Sequence, residues 1–188
     1  MKRILLFINL LLGVLFSAQL SRDKLELIQP LAKLDYAESS SVGIVGEDSK
    51  IYLCFQKIKN KLTNEELLIL SKNSSNCLRL YSCFELIARN ELLIVSIYEY
   101  YRQFPLKMMY TQGCVGSIVD IAEMIFKEYE NVFEIKKYAE KELKKIPESN
   151  SEYKTWEKVL REKEKQINPD FIEAFERIKK IKTVYDMK

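Results

Sequence analysis

Histidine is absent from this chain of 188 residues. Its absence excludes any Ser-His-Asp triad, Cys-His dyad or histidine-ligated metal site built from this chain alone. Glycine and proline are scarce, with 5 and 4 residues, which excludes collagen-like and linker-rich proteins. Disorder is disfavoured, because 47% of the residues are hydrophobic and the formal net charge is only +3. The composition therefore predicts one globular domain whose chemistry does not use histidine.

Long apolar runs are also absent, apart from one at the N-terminus. Lys2 and Arg3 precede an apolar run over residues 4–16, and the small residues Ser17 and Ala18 follow it. This order is typical of a secretory signal peptide cleaved after Ala18. The run is shorter than the ~20 residues that span a bilayer, which disfavours a membrane anchor. We therefore expect a signal peptide over residues 1–18, a mature domain over residues 19–188 without a membrane span, and a secreted or periplasmic location.

The charge of the mature chain is almost balanced. Removal of Lys2 and Arg3 leaves 28 basic residues against 27 acidic ones. Nucleic-acid-binding proteins instead concentrate lysine and arginine on one face. In the second half of the chain the two signs are interleaved, which is typical of solvated helix faces with pairs at i,i+4. We therefore expect no nucleic-acid partner.

Apolar residues recur at spacings of three and four along the mature chain, which predicts helices. Thr63 and Glu66 form a capping box, and Asn168 and Pro169 mark a second helix start. The spacing predicts an all-α protein with an irregular segment over 19–50, a main helical array over 51–146 and a C-terminal helical hairpin over 151–185. Residues 38–48 are interpreted as a loop. Only residues 42–45 and 107–111 are candidates for short strands.

One stretch resembles a HEAT-type repeat. A helix with Leu67 and Leu68 precedes a polar turn, and a second helix carries Arg79, Ser82 and Leu86 at the spacing of that repeat. The hairpin through residues 168 and 169 is similar to a second copy, and the resemblance covers roughly residues 48–104 and 151–182. The chain is also similar to uncharacterised exported bacterial helical proteins. The resemblance implies a short α-solenoid of stacked antiparallel helical hairpins that serves in binding.

Four cysteines are present, and an even number in an exported protein favours disulfides. Cys77 and Cys83 are separated by ~9 Å of helix, which exceeds the reach of a disulfide. Two pairings remain open, Cys54–Cys77 with Cys83–Cys114 or Cys54–Cys83 with Cys77–Cys114. The alternative is that the thiols are free and pack as small apolar side chains. Zinc is not indicated, because no two cysteines lie two to four residues apart.

No group of residues in the sequence indicates catalysis. Cys114 lies between Gly113 and Gly116, where a helix start would favour a thiolate, but no histidine is available as its base. Asp120 and Glu123 share a helix face, which is ordinary for the first turn of a helix. We predict no catalytic residue, no metal and no cofactor. The alternative function is a small exported enzyme that uses carboxylate or thiol chemistry.

An aromatic segment is the candidate binding surface. Helical spacing places Tyr98 and Tyr101 on one stripe and Tyr100 and Phe104 on another, with Arg102 beside them. One stripe belongs to the core, and the other offers residue types that are enriched in protein interfaces. We therefore expect an exported interaction module that binds a protein or peptide partner through this segment.

The signal-peptide prediction is tested by the intact mass of the exported protein. Its mass should correspond to a chain that begins near Gln19, because the cleavage site follows the small residues of the signal peptide. Retention of residues 1–18 in the exported protein would contradict this prediction.

Overall fold

The computed structural model of this chain describes residues 20–187, so the predicted signal peptide lies outside the described residues. Eight α-helices and four strands occur within this range. In chain order they are α1 Arg22–Ile28, a 3₁₀ turn Gln29–Leu31, β1 Tyr36–Val42, β2 Glu47–Asp48, α2 Lys50–Lys59, α3 Asn64–Asn73, α4 Asn76–Ala88, α5 Ile94–Gln103, β3 Lys107–Gly113, β4 Val115–Asp120, α6 Ile121–Leu143, α7 Ser151–Gln166 and α8 Pro169–Asp186.

The strands form one mixed sheet in the order β2-β1-β3-β4. β1 and β3 are parallel, with Tyr36 opposite Met109, and the other two pairings are antiparallel. The all-α prediction and the α-solenoid are therefore wrong, and the protein is an α/β fold. The array over 51–146 is likewise not wholly helical, because β3 and β4 interrupt it.

The segment interpreted as a loop supplies most of β1, the turn that follows it and β2, and of the candidate strand over 42–45 only Val42 lies in a strand. The sequence of β1, with three serines in a row, lacks the alternation of apolar and polar residues that indicates a strand. Ala37 is its one fully buried residue. The strand is stabilised by its neighbours instead: the Ser49 hydroxyl donates to Glu38 Oε2 at 2.6 Å and accepts from the Tyr52 N–H as the N-cap of α2. This cap joins β1 directly to the first long helix.

Tyr81 of α4 takes the place of a neighbouring strand along the first half of β1. Its hydroxyl donates to the Glu38 carbonyl at 2.7 Å and accepts from the Glu38 N–H at 3.0 Å. Burial raises the pKa of Tyr81 far above its ordinary value. One side chain thus satisfies two backbone groups of the strand that β2, only two residues long, does not reach.

The β3–β4 hairpin lies where the sequence suggested a helix start beside Cys114. Residues 107–111, a candidate strand, lie within β3, and residues 115–120 form β4. The N-cap of α6 is Asp120, whose Oδ1 accepts from the N–H groups of Ala122 and Glu123. Helix α6 then runs without interruption to Leu143.

Helix-level predictions were more accurate. The capping box of Thr63 and Glu66 is present, and Pro169 occupies the first turn of α8 after the Asn168 cap. The apolar stripe of α4 is buried, including Leu78 at 0% exposure. The two helices of the C-terminal segment over 151–185 are present as α7 and α8. Helix α7 packs on α6, whereas α8 packs on α5 and α6.

An aromatic cluster fixes the position of α8. Tyr129 and Phe133 of α6 contact Phe171 and Phe175, with ring centroids 4.7–5.6 Å apart. Phe171 and Tyr129 are fully buried. Because such large rings contribute most to core burial, α8 is held by α6 rather than by α7. Helix α7, by contrast, has no fully buried residue.

A helix that crosses a bilayer must be both long and apolar. Within residues 20–187, the structure contains no helix that combines the length and apolar character needed to cross a bilayer.

The two hydrogen bonds of Tyr81 provide a test of the strand contact. Tyr81→Phe should lower the free energy of unfolding by about 1–3 kcal/mol, because the Glu38 N–H and carbonyl lose their partner. Tyr98→Phe is the matched control: this buried hydroxyl has no hydrogen-bond partner among the described residues, so its removal should be neutral or slightly stabilising. Urea denaturation of both variants measures the difference. Equal effects would contradict the assigned role of Tyr81.

Candidate functional site

A groove of about 660 Å³ lies between the β3–β4 hairpin and helix α6. Side chains alternate between the two faces of a strand, and every second residue of the hairpin faces the groove. The sheet contributes Tyr110, Gln112, Val115, Ser117 and Val119. Helix α6 contributes Met124, Lys127, Glu128, Glu130, Asn131 and Glu134, and α4 contributes Phe84. The groove is therefore a polar cleft with a strand as one wall and a helix as the other.

Strand β4 is an edge of the sheet, and no strand within residues 20–187 pairs with its outer side. Its residues from Val115 to Ile118 are exposed. Natural proteins usually protect such an edge with charged residues, proline or a bulge. Between residues 115 and 119 the strand has no charge and no proline, and its pairing with β3 is regular throughout. The edge is thus open to a further strand.

The turn between β3 and β4 determines which backbone groups of β4 point outward. Gly113 has a φ of +57°, and Cys114 does not have a positive φ. This combination fits a type II′ turn, which has glycine at its first central position. Such a turn hydrogen-bonds Gln112 to Val115. The hydrogen bonds of β4 to β3 therefore start at Val115 and recur at every second residue.

The far end of the hairpin has the same alternation. The Ile121 N–H donates to the Leu106 carbonyl at 3.1 Å, as expected when Val115 is the first hydrogen-bonded residue. The backbone groups of Gly116 and Ile118 consequently point away from β3. No backbone or side-chain hydrogen bond to these two residues from the outer side is found among residues 20–187. They are the groups that an added strand would bind.

Glu128 lies half-buried on the helical wall of the groove. Burial raises the pKa of its carboxyl, while Lys163 and a hydrogen bond from Asn131 act in the opposite direction. Lys163 itself donates to Gln166 at 2.9 Å. No ion pair within 4 Å joins Glu128 to a cation in the described part of the chain. Tyr110 on the opposite wall is buried too, which raises its pKa to about 12, and the charge of Glu128 adds to this shift.

A second depression continues the groove along α6. Its volume is about 520 Å³, and it shares Asn131 and Glu134 with the groove. The remaining lining residues are Ile135, Tyr138, Trp156 and Val159. The rings of Tyr138 and Trp156 meet edge to face with centroids 5.2 Å apart. The cleft thus changes from polar beside the hairpin to largely apolar between α6 and α7.

The predicted aromatic segment lies elsewhere, on α5. Tyr98 and Tyr101 are at most 1% exposed and belong to the core. The Arg102 guanidinium is held by Glu123 at 2.7 Å and by Asp186 at 2.5 Å. Tyr100 and Phe104 pack against each other with centroids 5.2 Å apart, and Phe104 is 60% exposed. The segment presents one partly exposed aromatic pair, and its role in binding stays a prediction.

The four cysteines are free thiols in this structure. Cys77 and Cys83 are fully buried in α4, Cys54 is half-buried and Cys114 is exposed in the hairpin turn. Burial raises the pKa of Cys77 to about 12, so its thiol is protonated at neutral pH. Cys114 lies in the turn between β3 and β4 and not at the start of a helix.

The carboxylates of Asp120 and Glu123 have structural roles. Asp120 caps α6, and Glu123 is paired with Arg102 and with Lys182 at 3.4 Å. Among residues 20–187, no group of three or more cysteine, aspartate and glutamate side chains is placed to hold a metal ion.

Sequence reasoning missed both walls of the groove. The available signal lay in residues 112–119. A turn at Gly113 is followed there by Val115, Ile118 and Val119, with two small residues between the first valine and the isoleucine. Glu128 had no signal of its own, because it is one of many glutamates in an interleaved helix. Its partial burial depends on the hairpin that lies over it.

Glu128 should oppose folding at neutral pH. A carboxyl whose pKa is raised in the folded state contributes stability while it is protonated, and this stability is lost as the pH rises from its ordinary value of 4.5 through the raised pKa. Glu128→Gln should therefore raise the melting temperature at pH 7, and the difference should shrink below pH 4.5.

Glu140 on the same helix is the control, because its pKa is shifted in the opposite direction to that of Glu128. Its side-chain hydrogen bond with Lys136 lowers its pKa, so Glu140→Gln should not raise the melting temperature at pH 7. A lower melting temperature for Glu128→Gln than for the unchanged protein at neutral pH would contradict this account of the groove.

Comparisons with known proteins found no match for this chain. No family model, no curated protein and no solved structure matches the chain. The resemblance to HEAT repeats and to exported helical proteins is therefore neither supported nor refuted by a relative, although the α-solenoid that it implied is corrected by the sheet. Any statement about function must rest on the groove and the open edge of β4.

Proposed function

We propose that this protein is an exported interaction module that binds an extended peptide segment of a partner protein along strand β4. The observation that carries the proposal is an uncharged, proline-free edge strand beside a groove. Extended peptides bind such sites by adding a strand to the sheet: the main-chain hydrogen bonds give affinity, and alternate side chains enter pockets that give specificity. Both elements of this mode are present, because Gly116 and Ile118 offer backbone groups and α6 forms the opposite wall.

The near-balanced charge of the mature chain supports a protein partner over a nucleic acid. Export follows from the signal-peptide pattern and is part of the proposal. A partner would then be met in the periplasm or outside the cell. No cofactor enters the proposal, because peptide addition to a strand requires only backbone groups and side chains.

A second candidate function is a small exported enzyme that uses Glu128 as a general acid. The half-buried carboxyl with its raised pKa favours it. General acid catalysis needs a second group that acts on the same substrate. The carboxylates beside Glu128 in the groove are the exposed Glu130 and Glu134, and the exposed Cys114 has no histidine as a base. Binding therefore accounts for more of the site than catalysis does.

Substitutions at Ile118 test strand addition. Ile118→Pro removes the outward N–H without removing a hydrogen bond to β3, because proline is tolerated where the N–H of an edge strand faces solvent. Peptides selected from a phage-displayed library of random linear sequences serve as the probe, with fluorescence anisotropy as the readout. The variant should bind these peptides ~10-fold more weakly, as expected for a lost hydrogen bond and the added bulk of the ring.

Ile118→Ala is the matched control. It removes a side chain that is 63% exposed on the opposite face of the sheet and keeps the N–H, so peptide affinity should be retained. Equal loss in both variants would show that the peptides contact the outer face and would contradict strand addition. Sedimentation of the protein without peptide identifies the competing occupant: a dimer that Ile118→Pro dissociates would mean that a second copy of the chain occupies the edge.

A further inference from the structure

The charges that line the groove are unequal. Three glutamates, Glu128, Glu130 and Glu134, face one cation, Lys127. Glu128 is the least exposed of them and lacks an ion-pair partner within the described residues. Lys163, whose charge acts on Glu128, donates a hydrogen bond to Gln166. A carboxylate that is partly removed from water gains most from a cation that brings its own hydrogen bonds. The groove is thus complementary to a lysine or arginine side chain.

The second depression is suited to a different side chain. Tyr138, Trp156, Ile135 and Val159 surround it, and such aromatic and aliphatic pockets hold the anchor residues of protein interfaces. Tyr138 is 51% exposed, so part of its ring is still open to a ligand. The depression therefore fits a large apolar side chain.

The spacing of the two sites along α6 fixes their separation in a peptide. From Glu128 to the turn that carries Ile135 and Tyr138, the helix advances about 10–15 Å. An extended chain rises about 3.3 Å per residue and turns the same face to the groove at every second residue. Residues four positions apart are separated by about 13 Å and point the same way. The two sites thus match positions i and i+4 of one extended peptide.

We propose, resting on the proposed peptide-binding function, that the groove selects an extended peptide with a lysine or arginine opposite Glu128 and a large apolar residue four positions away, between Tyr138 and Trp156. The intermediate residue that faces the groove lies over the hairpin wall of Val115 and Ser117. Affinity comes from the β4 backbone, and the choice of peptide comes from these two side-chain positions.

The probes are two blocked synthetic peptides, Thr-Lys-Ser-Val-Ser-Phe-Thr and its reverse, Thr-Phe-Ser-Val-Ser-Lys-Thr, because an added strand can run in either direction. In a third and fourth peptide norleucine replaces lysine, which keeps the four-carbon chain and removes the charged ammonium group. Against the unchanged protein, the better lysine peptide should bind ~10-fold more tightly than its norleucine counterpart, as expected for a hydrogen bond between charged groups.

Glu128→Gln should abolish this preference, so that both peptides bind with similar affinity, which is the coupling that a double-mutant cycle measures. Glu140→Gln, on the same helix and outside the groove, should keep the full preference. Binding at the apolar position can be followed separately by tryptophan fluorescence, because Trp156 is the one tryptophan of the chain. Its fluorescence emission should shift when the phenylalanine peptide binds and should not shift with a peptide that has alanine in that place.

The outcomes separate this inference from the proposed function. If lysine and norleucine peptides bind equally and Ile118→Pro weakens both, strand addition is correct and the basic preference is wrong. If phage-selected peptides bind but neither synthetic order does, the two-site spacing is wrong. If no peptide of either kind binds, the proposed function itself fails.

Discussion

The parallel pairing of β1 with β3 is the contact on which the rest of the fold depends. It joins two segments that are separated by β2 and four helices, and closing so long a loop costs chain entropy before any contact forms. Parallel strands require a crossover of this kind, and α2–α5 supply it. Tyr81 reaches from that crossover to the backbone of Glu38, so the helices that bridge the strands also complete the hydrogen bonding of β1.

The groove follows from this arrangement. Once β3 is fixed beside β1, the type II′ turn sends β4 back as the outermost strand, and Asp120 caps a helix that starts directly at its end. Because α6 runs beside the hairpin that precedes it, one strand face and one helix face enclose a cleft. The open edge of β4 and the acidic wall of α6 are therefore neighbours through topology, although no short sequence motif contains both.

The chemistry of the cleft favours recognition. In the proposed complex its backbone groups would accept any extended sequence, while Glu128 and the ring pair of Tyr138 and Trp156 would distinguish between side chains. An unprotected edge is a hazard for aggregation, and 30% of the residues of this chain are charged. Residues 115–119 have no charge, so this edge lacks that protection. A peptide segment added to β4, as proposed, would cover it.

The sequence by itself determined the local features of the helices. The capping box of Thr63 and Glu66 and the start of α8 at Pro169 were predicted, because these depend on neighbouring residues within one helix. The spacing also separated the two aromatic stripes of α5, of which the structure buries Tyr98 and Tyr101. Only the tertiary structure decided the strands, since the stability of a strand lies in its pairing partners and in the face that it buries. The serines of β1 contain no signal for Tyr81 or β3, and the partial burial of Glu128 arises only where the preceding hairpin folds back over α6.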